Sequence, residues 1–453
     1  MIHPLRRWTR RASPPLVLAA AISSTACATT RYVAVSPDEI PTLESRVESE
    51  PSNGEVRHRY AAALFAAGRC ADASAQAHSA MILDPDNVVG PLVVGRCLEA
   101  EGRHDEALEV YASFKAEHPS APGLSAIDGQ ERVAQQARAV QVARAAIAAD
   151  GTLGAGPPDP EAVAVLPLLV AGDTAYASLS RGLASIILSD LDLLQRFRLV
   201  ERLEVDAIVD ELTLGRSNAV DQQTAARVGR IIRAGQTVQG TADVASEEQT
   251  RLAAAVVRNG GGDGAEAETV EVQGRLEDIM DMEKELVFAL AEAMGYTPTL
   301  AERQLIADNG TRSLLAFLSF SRGLEAQHGG DYQSAAAYFQ QAVTQDPGFS
   351  QAAGELQAAS AAGAVSTGGR GQVTTVGAQA DDAVAAAAAP ADGGAASAMT
   401  SSIFDVAGLD SERVTHSTDV SGASQQVGTL TRIVTPPPSV MLPGTIRIVI
   451  KIR

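Results

Sequence analysis

The sequence predicts an α+β/α multidomain protein, with paired helices on the N-terminal side, a central α/β sandwich and a disordered tail that ends in a β-strand. Three observations support this prediction. A helical pattern repeats with a period of 34 residues, as its turn prolines Pro85 and Pro119 show. Residues 163–240 alternate buried apolar runs with amphipathic stretches, which is the order of an α/β domain. Residues 361–444 consist mainly of Ala, Gly, Ser and Thr, which cannot bury enough apolar surface to fold.

The first residues have the pattern of a bacterial export signal. An arginine-rich segment precedes a short apolar run at residues 16–22, and small residues at 24–26 lead directly to Cys27. The apolar run is too short for a membrane span, which needs about 20 apolar residues. A cysteine in this place resembles the lipidated cysteine of bacterial lipoproteins. We therefore expect a signal peptide at residues 1–26 and a lipid on Cys27; the alternative is simple cleavage near Ala26 and a soluble periplasmic protein.

The charge of the chain limits its partners. The formal net charge is −19 at pH 7, whereas nucleic-acid binding depends on Lys and Arg that neutralise phosphate. The same charge disfavours attraction to anionic lipid, so membrane attachment would depend on the lipid on Cys27. We therefore expect no nucleic-acid partner.

Two units that resemble tetratricopeptide repeats follow a linker at residues 27–51. Their small and packing residues are in register: Ala61, Leu64, Ala73 and Ala80 in the first unit, and Gly95, Leu98, Ala107, Tyr111 and Phe114 in the second. Small residues are needed there because the two helices of one unit cross closely. With a capping helix at residues 130–149, the predicted repeat domain covers residues 52–150.

A third unit of the same kind is predicted at residues 311–360 and stands apart from the first two in the sequence. Its matching residues are Gly323, Ala335, Phe339, Ala342 and Asp346-Pro347. About three stacked units are normally needed for stability. Either additional helices cap each block, or the blocks dock on a neighbour.

The central segment has a strand at residues 163–168, a helix at 181–191, a strand and helix at 197–212, and a helix and strand at 228–244. This order and these residues resemble the CsgG-like family, which is best known from the curli secretion channel of the bacterial outer membrane. The resemblance implies an α/β domain at residues 159–298. It also implies assembly or secretion work at the outer membrane rather than catalysis, and it allows a homo-oligomer.

One departure from that family bears on function. The family's channel protein builds its membrane barrel from two long hairpins, and one such hairpin needs about 20 residues because a membrane strand takes about 9–11. The corresponding links here are residues 245–250 and Gly274-Arg275. We therefore expect a chain without its own transmembrane hairpins. The alternatives are an oligomeric subunit of a CsgG-type channel and a soluble periplasmic regulator of a cell-wall or envelope enzyme.

No residue pattern indicates catalysis. The lysines Lys115, Lys284 and Lys451 do not follow a phosphate-binding glycine loop, and no G-x-S-x-G motif occurs. The seven histidines lack metal-ligand spacing, and we expect His58 and His78 to be exposed on the repeats. The sequence thus predicts a non-enzymatic protein with no catalytic residues, no cofactor and no metal site.

Two cysteines, Cys70 and Cys97, lie in the repeat block. An exported protein can form disulfides, and the two positions fall near the first turn and within the following helix. The pair is therefore a possible disulfide; otherwise both are small core residues.

The pair Glu201-Arg202 is the charged feature that the resemblance highlights. The resemblance implies a contact with a subunit or another partner at a strand end. The alternative is structural, with Glu201 at the favourable end of a helix dipole and Arg202 as its surface neighbour.

The low-complexity tail at residues 361–444 leads to a strand pattern at residues 445–453. Every second residue is an isoleucine, at Ile446, Ile448, Ile450 and Ile452, and the opposite face carries the basic residues Arg447, Lys451 and Arg453. An isolated strand is unstable, so we expect it to add to a sheet edge in this protein or in a partner, with docking in this protein favoured.

Together these observations predict a lipid-anchored scaffold at the periplasmic face of the outer membrane, accessory to envelope assembly or secretion. Its expected partners are envelope proteins, contacted through the repeat surface and the C-terminal strand, and the outer membrane, contacted through the lipid on Cys27.

Overall fold

The computed structural model describes residues 35–150, 158–212, 222–259 and 267–367, together with a strand at 447–451. It has helical layers on the N- and C-terminal sides of a central mixed sheet, which confirms the predicted fold class. In the described ranges, no helix combines the length and the apolar character that a membrane crossing requires.

The N-terminal helices are α1 (Ile40–Ser49), α2 (Gly54–Ala66), α3 (Cys70–Leu83), α4 (Val89–Ala100), α5 (His104–Glu117) and α6 (Leu124–Ala149). Helices α2/α3 and α4/α5 form hairpins, whose turns contain Gly68 and Gly102 at φ of 76° and 75°. Such left-handed backbone favours glycine. Ala73 and Ala107 lie fully buried where each pair of helices packs, as the repeat register predicts.

Two of the predicted boundaries in this region are wrong. Residues 35–50 are not linker, because α1 packs on α2 and buries Leu43, while Val35 is also buried. The capping helix begins at Leu124 rather than at residue 130, directly after Gly123 in a left-handed conformation.

The central sheet comprises β1 (Asp159–Val165), β2 (Leu169–Gly172), β3 (Arg198–Leu199), β4 (Ala234–Ser246), β5 (Gln249–Arg258), β6 (Ala267–Gly274) and β7 (Arg447–Lys451). Its order is β3-β1-β4-β5-β6-β7, and β2 also pairs with β4. Strand β1 pairs in parallel with β3 and β4, and β2 pairs in parallel with β4. Strands β4, β5 and β6 form an antiparallel meander.

Only residues 163–165 of the strand predicted at 163–168 are strand in the structure, and a second strand follows after a break. β1 ends at Val165 and β2 begins at Leu169, and both pair with β4. Pro167 lies between them and has no N–H to donate to the ladder, which explains the break. The links that follow are short: a turn at Glu247 and Glu248 joins β4 to β5, and Arg275 alone separates β6 from a 3-10 turn.

Helices cover both faces of the sheet. They are α7 (Leu179–Leu193), α8 (Arg202–Glu211), α9 (Gln222–Ile231) and α10 (Ile279–Ala293). Alternate residues of β1 point to opposite sides. Val163 and Val165 join the core beneath α7 and α10, and Ala162 and Ala164 join the core beneath α8 and α9.

The C-terminal helices are α11 (Leu300–Asp308), α12 (Leu314–His328), α13 (Tyr332–Gln345) and α14 (Ser350–Thr367). The third repeat unit does not stand apart in space, because α14 packs on α6. Gly129 lies against the backbone of Ala361 and Ala362. The tail predicted from residue 361 is therefore helical and buried as far as Val365, and from residue 368 to 446 it lies outside the described residues.

The C-terminal strand β7 pairs in parallel with β6, from Arg447 opposite Thr269 to Lys451 opposite Gln273. It forms one edge of the sheet. The backbone of the C-terminal strand therefore docks on the central sheet of the same chain, which is the favoured one of the two predicted alternatives.

Candidate functional site

A cleft of about 650 Å³ lies between the helical layers and the central domain. Helix α6 forms one wall, and it belongs to both parts: Ala134 joins the core of the repeats, and Ala139 and Ala143 join the core beneath α8. The other walls are α7, the start of α8 and α14. The cleft is therefore built by the contact of the repeat layers with the α/β domain.

Glu201 and Arg202, the pair selected from the sequence, both line this cleft. Glu201 is exposed and precedes α8 without a side-chain capping hydrogen bond. Arg202 is not a surface neighbour of Glu201: its Nη1 lies 3.2 Å from Oδ2 of Asp206, which is buried. Glu201 is thus available to a partner, whereas Arg202 has a structural role in holding Asp206.

Ion pairs connect the walls of the cleft. Arg138 of α6 donates to Glu204 of α8 at 3.1 Å and also bonds to Asp105 of α5. Arg132 of α6 lies 3.4 Å from Glu355 of α14. Each pair joins different elements, so the positions of the walls are coupled through these side chains.

A second charged network joins α7, α8 and α12 beside the cleft. Arg181 of α7 pairs with Glu325 at 2.7 Å and with Asp206 at 3.6 Å. His328 of α12 lies 2.5 Å from Asp210. The Arg181 side chain is 13% exposed, and charge pairs that exclude water in this way contribute more than exposed pairs. This network fixes the third hairpin on the α/β domain.

A buried cluster lies deeper, between α7, α10 and the loop after α11. Lys284 Nζ is 2.6 Å from Asp190 Oδ2 and 3.2 Å from Glu283 Oε2, and Asn309 donates to Asp190 at 2.7 Å. Burial, together with the adjacent Asp190 carboxylate, raises the pKa of Glu283 to about 8. Despite burial, the carboxylates of Glu283 and Asp190 raise the pKa of Lys284.

The polar side chains of the cleft can form ion pairs and hydrogen bonds. Its polar lining consists of arginines, carboxylates, amides and two serines, Ser185 and Ser189, and Ser185 accepts a hydrogen bond from Gln351 at 3.0 Å. Among the described residues, those that line it include no histidine, cysteine or lysine. Across the described residues, no group of three or more His, Cys, Asp and Glu side chains has the geometry of a metal site.

The other predicted site residues are the three cysteines and the isoleucines of the C-terminal strand. Cys27, Ile446 and Ile452 are outside the described residues, and the backbone of Ile448 and Ile450 belongs to β7. Cys70 and Cys97 form a disulfide between α3 and α4, with their Cα atoms 5.5 Å apart. Neither Cys70 nor Cys97 lines the cleft.

The expectation that His58 is exposed is wrong. It is 1% exposed, its Nε2 lies 3.1 Å from the carbonyl oxygen of Asp84, and burial lowers the pKa of its imidazole. Helix α2 is covered on nearly all sides, by α1, α3 and α4. His78 is exposed on α3.

The sequence analysis did not predict Arg181 and Lys284 as members of charged networks. Arg181 lies between Ser180 and Gly182 near the start of α7, and nothing in the neighbouring sequence indicates its partners on α8 and α12. Lys284 did leave a signal, because it is one of few lysines and lies within a strongly apolar helix.

The comparisons with known proteins identify one domain. Residues 169–279 match the family model described as "Curli production assembly/transport component CsgG". The match begins at β2 and ends at the first residue of α10, so it includes Glu201, Arg202 and Arg181. It covers less than half of the chain, and the similarity is therefore a property of the central domain.

Similarity over the rest of the chain is weak. No curated protein matches the chain. A solved structure, "Structure of Naa15/Naa10 bound to HypK-THB", is 13% identical over 72% of this chain, with a TM-score of 0.19. The matched part of the present protein covers 52% of the length of the chain in that solved structure. A TM-score this low supports no argument about fold or function.

Proposed function

We propose that this chain is a non-enzymatic scaffold of the bacterial envelope, in which tetratricopeptide-like layers hold a CsgG-like domain, and that it is accessory to envelope assembly or secretion. The match of residues 169–279 to a curli assembly and transport component is the observation that carries the proposal. The cleft supports it, because a polar, solvent-exposed residue such as Glu201 is typical of the rim of a protein interface.

The accessory role follows from the short links within the domain. Two residues join β4 to β5, and one residue separates β6 from the next turn. The family's channel protein carries its long insertions at these places. We therefore propose that the chain supports an assembly or transport machine and does not form the conducting channel itself.

Glu201 is the proposed partner contact. It is exposed at the mouth of the cleft. We expect Glu201→Arg to remove a crosslinked partner from envelopes, while Glu48→Arg, an exposed position on α1, retains it. Purified protein that conducts ions in planar bilayers would contradict the accessory role, and an unchanged crosslinking pattern in Glu201→Arg would exclude this contact.

The proposed location is the periplasmic face of the outer membrane, with an anchor on Cys27. Metabolic labelling with a palmitate analogue should mark the wild type and fail to mark Cys27→Ala. The double variant Cys70→Ala, Cys97→Ala is the matched control and should keep the label. An unlabelled wild-type protein would contradict the lipid anchor on Cys27.

A further inference from the structure

A second cavity of about 700 Å³ lies on the repeats, away from the cleft. It is a groove between α3, α4 and α5, and we call it the repeat groove. Its floor is apolar, formed by Val94, Leu98, Val110 and Phe114, and the Cys70–Cys97 disulfide lies along one side. Leu98 and Val110 are partly exposed, so this apolar floor is open to solvent.

An exposed isoleucine extends the groove along α3. The groove-lining residues of this helix include Ser74 and His78, spaced by one turn, and Ile82 follows one further turn on. Side chains four residues apart lie on the same helical face. Ile82 is 83% exposed, which leaves a large β-branched side chain in water beside an apolar surface. Such continuity marks an interaction surface rather than an isolated exposed residue.

The rim of the groove is acidic. Four glutamates line it, and Arg103 is the one arginine among the described lining residues. The glutamates are Glu101, Glu106, Glu109 and Glu117. Arg103 is already shared by Glu101 at 2.9 Å and Glu106 at 2.6 Å. Within the described residues, Glu109 and Glu117 form no ion pair, and both are exposed on α5. The rim therefore presents an uncompensated negative potential next to an apolar floor.

We infer that the repeat groove binds a basic amphipathic helix of a partner protein. The apolar face of that helix would cover Ile82 and the floor, and its Lys or Arg side chains would reach Glu109 and Glu117. An acidic segment would be repelled by the carboxylates of the rim. A purely polar segment would leave the apolar floor exposed to water. This inference names a partner class for the repeat layers and does not depend on the proposed role in the envelope.

The test uses the full mature chain and a labelled 18-residue peptide of leucine and lysine, with leucine on one helical face. Fluorescence anisotropy measures its binding. Two further peptides serve as controls: one has glutamate in place of lysine, and the other is a scrambled sequence of the same composition with no apolar face. We expect the amphipathic basic peptide to bind at least about tenfold more tightly than either control, because it alone matches both the floor and the rim.

Variants then locate the binding. Ile82→Asp should weaken binding about tenfold, as expected for an apolar anchor, whereas Leu300→Asp, equally exposed on α11, should change it less than about twofold. The double variant Glu109→Lys, Glu117→Lys should also weaken binding about tenfold. Its matched control is Glu48→Lys, Glu55→Lys, which changes the net charge equally on α1 and α2. Circular dichroism should show that all four variants retain the fold, since all these positions are exposed.

Two results would overturn the inference. Equal affinity for the scrambled peptide would show attraction by net charge alone. Equal weakening by the groove variants and their controls would show that the peptide binds elsewhere.

Discussion

Gly95 packs directly against the ring of Tyr111, so closely that a β-carbon at position 95 would overlap the ring. Tyr111 is fully buried, and its hydroxyl donates to Glu99 at 2.6 Å. The third hairpin repeats the arrangement, because a β-carbon on Gly323 would overlap the ring of Phe339. In both hairpins the aromatic ring occupies the space that glycine leaves, and this contact sets how closely the two helices approach.

Gly95→Ala should therefore destabilise the protein by about 1–3 kcal/mol, because the ring of Tyr111 must move in a packed core. Gly354→Ala is the matched control. Gly354 is an exposed glycine of α14 with no atom within 4 Å of its missing β-carbon, and alanine there should stabilise the helix by up to about 1 kcal/mol. Urea unfolding measures both. A wild-type midpoint for Gly95→Ala would show that the helices separate at no cost.

Lys284 is expected to be the critical member of the buried cluster. Lys284→Met leaves the Asp190 carboxylate buried without its cation, which should cost about 3–5 kcal/mol. Lys115→Met is the control, because Lys115 is a partly exposed lysine paired with Asp128 and Glu131, and its loss should cost less than about 1 kcal/mol. The double variant Asp190→Asn, Lys284→Met should be more stable than Lys284→Met alone. If it is less stable, the pair is not the source of the loss.

Glu283 should make stability depend on pH. Its pKa is about 8 in the folded protein and 4.5 ordinarily, so between these values the folded state binds a proton that the unfolded state has released. The contribution of Glu283 to the free energy of unfolding is therefore complete below pH 4.5 and is lost as pH rises towards 8.

Glu283→Gln should remove this decline. Its free energy of unfolding should fall less than that of the wild type between pH 5 and pH 8, as measured by urea unfolding at each pH. Asp281→Asn, an exposed change on the same helix, should keep the wild-type slope. Parallel curves for Glu283→Gln and the wild type would mean that Glu283 is ionised in the fold at neutral pH.

The parts of the fold that the sequence predicted are those encoded by local patterns. The apolar stripe of α7 and the close packing of paired helices around Ala73 and Ala107 depend on residues a few positions apart, and the structure shows both. The break at Pro167 was missed because β2 is short and its partner, β4, is more than sixty residues away in the chain.

The long-range contacts account for the remaining differences. Nothing near Gly129 indicates that α14 will pack on it, so the sequence left open whether the third hairpin is capped by other helices or docks on a neighbour. In the candidate site, too, the sequence indicated residues but not their long-range partners. Glu201 and Arg202 were selected from the sequence. The pairing of Arg202 with Asp206, and of Arg181 with Asp206 and with Glu325 of α12, is seen only in the assembled fold.

The last prediction concerns β7, which the structure places at the open edge of β6. Deleting residues 445–453 should lower the free energy of unfolding of the central domain and speed hydrogen exchange at the β6 amides, because that edge loses its partner strand.

Along an edge strand paired on one side, alternate N–H groups point towards the neighbouring strand. One of the adjacent residues Ile448 and Val449 therefore donates to β6, and proline at that position should reproduce the deletion. Ile448→Val, which keeps the N–H, is the control and should leave exchange unchanged. If neither the deletion nor either proline variant alters unfolding or β6 exchange, β7 does not occupy this edge in solution, and its docking must be sought on a partner in envelopes.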